Sequence, residues 1–283
     1  MQQRPVLGAT WLVLGMGAFS VSDGLAKLLA DDFSAGALTW FRYLGLLLTV
    51  LPLAVRQPSI VRTGQPMAQV LRAAGLIGAA VFFLLGLATI PQAEATAMVF
   101  ASPLFVLILS RWLMRETVGP RGFAPVLLGF AGVLIVVRPG SFHFGGAEIF
   151  PLLSSMAWAG AVVLTRKLSA TDSVSTTMLY SAALGAVGLA VTVPGIDWAR
   201  LFSTWPLMLG MTAAWCAAQW LVVAAYRVAS PPVIAPFAYS QLLWAALFGL
   251  AFAGHWPDAI SLLGMVLIVL SGLYAAWLSR ART

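Results

Sequence analysis

Only 9% of the 283 residues are charged, and a few of those charges stand inside apolar runs where they are costly. Asp23 and Lys27 occupy the run VLGATWLVLGMGAFSVSDGLAKLLA four residues apart, so on a helix they share a face. A charge at membrane depth turns toward the protein interior or toward water. Two readings stand for this pair. It is a gate, a solute-headgroup contact or a proton carrier near one mouth of a pathway. Or it is a structural ion pair, with Lys27 snorkelling to the interface and favoured by the helix C-terminus. Arg42 lies about six residues inside the next apolar run, at similar depth from the same side. It either pairs with Asp23 or Glu94 in a closing network or anchors its helix.

Neutral polar side chains mark the other candidates. Phe19 and Ser20 continue the face of Asp23, and Met98 and Ser102 recur at helical spacing further on. Trp215, Gln219, Val222 and Tyr226 form a stripe, as do Phe237, Gln241, Trp244 and Phe248. A buried amide or hydroxyl needs a partner, and an aromatic wall dotted with such groups suits a cavity for an amphipathic organic molecule. The competing reading is helix–helix adhesion through the same groups. As a set they predict a cavity, with Trp158 and Tyr180 added from two further helices. Pro103 and Pro236 interrupt apolar runs and act as hinges or as static kinks.

Other chemistries find little support. His143 and His255 have no second ligand at metal spacing, and Cys216 is the only cysteine. No glycine-rich nucleotide loop is present. No metal, cofactor or enzymatic centre is therefore expected. A net charge of +7 is spread over short loops, which fits membrane orientation better than nucleic acid.

The elements that must position these residues follow from hydropathy. Hydrophobic residues make up 61% of the chain and the mean hydropathy is +0.95, values of an all-α polytopic membrane protein. Helices are predicted over 6–29, 36–55, 71–90, 94–114, 120–137, 147–165, 174–194, 205–229, 233–253 and 258–278. With ten spans, twelve of the sixteen Lys and Arg residues fall on the side of the chain ends. That asymmetry predicts cytoplasmic termini and a multi-pass protein of the cell's inner membrane. Lys27-Leu28-Leu29-Ala30 has a counterpart in Lys167-Leu168-Ser169-Ala170, and weaker matches follow at similar offsets. Two five-helix repeats are predicted, 1–140 and 141–283, inverted because each has an odd number of spans.

The sequence LTWFRYLGLLL with Arg42, the stretch ASPLFVLILSRWLMRETVGPR with Glu116, and GFAGVLIVVRPG at the end of the first half carry a resemblance. Together they resemble the EamA group of the drug/metabolite transporter superfamily along essentially the whole chain. Where that family repeats a Gly-Glu pair after helix 9, this chain has Gly254-His255. The resemblance implies a secondary transporter working by alternating access, similar to exporters of amino acids and related metabolites. Large neutral or aromatic amino acids suit the expected cavity, with drugs and purine- or sugar-like metabolites as the alternative. The partners expected are a small solute and the lipid bilayer, and a monomer suffices.

Overall fold

A computed structural model describes residues 4–113, 120–138, 146–168, 171–228 and 235–280. Among these residues the regular structure is helical throughout. Eleven α-helices are α1 (Pro5–Leu29), α2 (Ala35–Arg56), α3 (Pro66–Leu87), α4 (Gln92–Val99), α5 (Ser102–Leu113), α6 (Pro120–Val137), α7 (Ile149–Leu168), α8 (Val174–Gly188), α9 (Trp198–Val228), α10 (Ser240–Ala253) and α11 (Ala259–Arg280). Glu116 and His143 lie outside the described residues.

Local chemistry explains most of the boundaries. Pro5 and Pro66 open α1 and α3, where the missing N–H costs nothing. For that reason α3 begins five residues before the predicted 71. Ser34 and Ser173 cap α2 and α8, accepting from the amides of Ala37 and Thr176. Asp197 accepts from the Arg200 amide and starts α9 well ahead of the predicted 205. Gly254 ends α10 at φ 66°, in the left-handed region that glycine adopts freely.

The largest departure from expectation is the run 94–114, predicted as one kinked helix. It is two helices separated at Phe100–Ala101. Pro103 has no backbone N–H to donate and disfavours helical backbone in the residue before it. The backbone answers with tighter turns, the amides of Phe100, Ala101 and Leu104 donating to the carbonyls three residues before them. Near Pro236 a 3₁₀ turn, Ala235–Tyr239, precedes α10. The predicted 174–194 likewise ends in a 3₁₀ segment, Leu189–Gly195, around Pro194.

Five helices are long and apolar enough to cross a membrane: Val6–Leu29, Ala35–Arg56, Pro66–Leu87, Val174–Gly195 and Trp198–Ala225. Shorter apolar helices accompany them. On α11 the residues Ile260, Leu263, Val266, Leu270 and Leu273 are exposed, while Met265 and Ile268 on the opposite face are buried. A stripe of that length facing water would be an aggregation hazard. Facing lipid it is solvated.

The helices pack in pairs drawn from distant parts of the chain: α1 along α9, α3 along α7, α6 along α11 and α2 along α8. Small residues permit the closest approaches. A Cβ on Gly132 would lie 2.7 Å from the Gly264 carbonyl oxygen, and one on Gly264 would lie 2.7 Å from the Gly132 oxygen. Backbone therefore meets backbone where α6 crosses α11.

Candidate functional site

Three helices converge on one polar seam. α1 contributes Ser20 and Asp23, α2 contributes Arg42, and α4 contributes Gln92 and Thr96. Arg42 Nη2 donates to Asp23 Oδ1 at 3.0 Å, with the two side chains only 3% and 8% exposed. Gln92 Nε2 donates to the Ser20 carbonyl at 2.7 Å. Four atoms along this seam are buried without a hydrogen-bond partner: Ser20 Oγ, Arg42 Nε, Gln92 Oε1 and Thr96 Oγ1. Orphaned buried polar atoms cost roughly 1–3 kcal/mol each, a cost that a bound water or a polar group of a solute would relieve.

An aromatic face borders the seam. Trp244, Phe248 and Phe252 stack successively along α10, each ring pair at 5.7 Å and 16°. The ladder lies on α1 through its glycines. Trp244 covers Gly17, and Phe252 covers Gly24, where a Cβ would come within 2.3 Å of the ring. The Gln92 amide oxygen reaches the same Gly24. Hydrogen-bonding groups and flat apolar rings thus share one stretch of α1.

The remaining charges have other tasks. Lys27 does not pair with Asp23 as its spacing suggested. Its Nζ donates to the carbonyls of Leu87 and Ile90 at 2.7 and 2.6 Å, and so ties the end of α3, whose last carbonyls have no helical partner. Lys27→Met removes these charge-assisted bonds and should cost about 1.5–3 kcal/mol, read as a lowered Tm in detergent. Glu94 accepts from Ser261 Oγ at 3.2 Å and not from Arg42. Beside it Arg138 bridges to Asp258 and to Ser261, and these donors hold the Asp258 carboxyl below the ordinary carboxylate range.

At the opposite end of the helices, Asp172 accepts from Thr63, from the Gly64 amide at 3.3 Å and from Gln69 at 2.7 Å. Burial at this loop junction raises its carboxyl, and the bonds from Thr63, Gln69, Gly64 and Thr171 lower it by more. Arg72, deeper on α3, donates to Thr165 and Ser181 at 2.5 Å.

The expected cavity residues are dispersed. Ser20 sits on the seam and Trp244 on the ladder, where its Nε1 donates to the Val13 carbonyl at 3.1 Å. Met98 is sealed in the main core. Trp215 lies edge-on to Tyr43 at 5.2 Å, in a second cluster that Phe19 also touches. Ser102, Gln219 and Gln241 are half-buried. Trp158 is 46% and Phe237 44% exposed, on outward faces. Tyr180 donates to the Val61 carbonyl at 2.9 Å, in the loop region with Asp172. The side chains of Tyr226, Pro103 and Pro236 lie outside the described residues.

A cavity of about 40 Å³ sits beside the helix break, lined by Phe100, Leu104, Phe130, Tyr239 and Ser271 among others. It has room for a few waters and not for a solute. Phe100 and Tyr239 stack across its edge at 5.0 Å and 24°.

Residues 6–138 match the EamA-like transporter family. A riboflavin transporter of Rhizobium johnstonii is 30% identical over 281 residues, covering 96% of this chain and 91% of that one. The chain belongs to the EamA family of drug/metabolite transporters. A riboflavin transporter of Vibrio cholerae is 29% identical over 279 residues, covering 96% and 93%. An S-adenosylmethionine uptake transporter of Rickettsia prowazekii is 24% identical over 275 residues, covering 94% and 91%. This EamA-family chain is therefore a membrane transporter by kinship, as its sequence motifs implied.

Gln92, Thr96 and Phe252 complete the seam and ladder, and the sequence reading did not place them in the site; Phe248 belongs to the stripe read with Phe237, Gln241 and Trp244. A signal was present: Gln92 and Thr96 are four apart in PQAEATAMV, the spacing that already drew attention to Asp23 and Lys27.

Proposed function

We propose that this protein is a secondary transporter that carries a neutral nitrogen heteroaromatic metabolite, with riboflavin as the first solute to test. The observation that carries the reading is the seam of partnerless hydrogen-bonding atoms beside a stack of three aromatic rings. A flat heteroaromatic ring needs both, a π face to stack on and a polar edge to pair. Two relatives carry the name riboflavin transporter, which supports the same class. The seam offers less to amino acids, the solutes expected from sequence. A zwitterion brings two further charges to a buried pair that is already neutral, and must break it to bind.

The architecture we propose is ten spans in two inverted five-span repeats, moving by alternating access with both termini cytoplasmic. Several internal correspondences support it. The capping serines Ser34 and Ser173 are 139 residues apart, and so are Phe100 and Tyr239, which stack on each other. Asp32, paired with Arg200 at 2.7 Å, and Asp172 are 140 apart, and they tie loops at opposite ends of the helices. Exchanging the halves turns the packing of α1 on α9 into that of α7 on α3. The α6–α11 pair maps onto itself under the same exchange, and Gly132 and Gly264 there meet each other's carbonyl oxygens reciprocally. Inverted repeats place a solute between them near mid-membrane.

The test is counterflow of radiolabelled riboflavin in liposomes containing the purified protein, with phenylalanine in parallel. Saturable riboflavin flux, inhibited by unlabelled riboflavin and not by phenylalanine, is the expected result. Saturable phenylalanine flux without riboflavin flux would return the assignment to amino acids.

A further inference from the structure

The ion pair between Asp23 and Arg42 is made through one nitrogen and one oxygen, Nη2 and Oδ1. That leaves Arg42 Nε–H buried with no acceptor while Arg42 as a whole is 2% exposed. The carboxylate is an acceptor with more lone pairs than one donor can fill. A donor without an acceptor and a carboxylate with spare lone pairs therefore stand side by side, fixed to one another, with side chains 3% and 8% exposed.

We infer that the Asp23–Arg42 pair reads a cis-amide edge of the solute ring, a carbonyl adjoining a ring N–H as in a lactam or an imide. The inference rests on the heteroaromatic reading above and specifies its polar contact. Arg42 Nε–H donates to the ring carbonyl, and the Asp23 carboxylate accepts from the neighbouring N–H. The existing Nη2–Oδ1 bond persists, so a neutral ring adds two hydrogen bonds without separating the charges. Net charge decides the class. An anion or a cation at this depth would bury a third charge beside a balanced pair, at a penalty of several kcal/mol. A neutral cis-amide adds none. The other orphaned atoms are fit to pair with further ring or tail polar groups, Gln92 Oε1 and Thr96 Oγ1 from α4 and Ser20 Oγ from α1. The Trp244–Phe248–Phe252 stack lies along the same helix for the ring face.

Specificity built on such an edge has a defined signature. A site whose buried polar groups are left unpaired by an analogue rejects it strongly. Methylating the ring N–H removes the donor to Asp23 and places a methyl group against a carboxylate. Lumiflavin, the flavin ring with a methyl group in place of the polyol tail, has N3–H as its only ring N–H, and its N3-methyl derivative lacks it.

The experiment measures binding of both compounds to the wild-type protein in nanodiscs, by quenching of their own fluorescence, and repeats it with Arg42→Lys. Lumiflavin should bind at least tenfold more tightly than the N3-methyl compound. Arg42→Lys preserves the charge opposite Asp23 but not the second planar donor, and should weaken lumiflavin at least tenfold. Equal affinities for the two compounds in the wild type, or no binding of either, would overturn the inference without reference to any variant. Riboflavin flux decides the transport reading separately: lumiflavin discrimination without riboflavin flux leaves the edge recognition standing and removes riboflavin as the solute.

Discussion

Arg42→Met will cost the folded protein about 3–5 kcal/mol, because it strands the Asp23 carboxylate in a water-excluded seam. Transport will be lost with it. The double change Asp23→Leu/Arg42→Met separates the two effects. Replacing a whole buried ion pair by apolar groups of similar volume is often neutral or stabilising, so the double variant should regain a near-native Tm. It will not regain flux, since the donor and the acceptor for the solute are both gone. Thermal unfolding in detergent and counterflow in liposomes, run on the same three proteins, check both halves. A double variant that folds and transports like wild type would reduce the pair to a packing element.

Gly264→Leu will produce the other large effect. Its Cβ would enter within 2.7 Å of the Gly132 oxygen and 2.7 Å of Val136 Cγ2. Backbone cannot rotate out of the way as a side chain does, so α6 and α11 must separate along their contact. We expect a loss at or above the upper end of the roughly 1–3 kcal/mol typical of overpacking. Gly160 on α7 supplies the control, because a Cβ there meets nothing within 4 Å. Gly160→Ala should leave Tm unchanged or raise it slightly, in keeping with the helix propensity of alanine. Comparable losses in the two variants would show that the α6–α11 approach is not the tight joint described here.

Much of the helical plan was legible in the sequence because apolar runs of about twenty residues have few alternatives in a membrane. Prolines were harder to read. Pro103 signals a disturbance, but whether a proline bends a helix or divides it depends on what fills the gap. Here the gap is held open by the stacked Phe100 and Tyr239, a contact between residues 139 apart that no local window contains. The charged residues show the same limit. Spacing on one helix put Asp23 and Lys27 together and left Arg42 a choice of Asp23 or Glu94; tertiary packing gave Asp23 to Arg42 and Lys27 to the α3 carbonyls. The aromatic stripes were legible as stripes, but not which face of each helix turned inward. Trp244 faces α1, and Trp158, similar in composition and spacing, faces out.

The solute's location is the central claim, and chemical protection at Ser20 tests it most directly. A Ser20→Cys protein in a Cys216→Ser background carries one thiol, at the seam between Gln92 and Asp23. Alkylation by a small membrane-permeant maleimide would be followed with and without saturating riboflavin. The account predicts at least tenfold slower labelling with riboflavin, half-maximal at the concentration that half-saturates flux. Labelling at the same rate with and without riboflavin, in a protein that still transports it, would contradict the account.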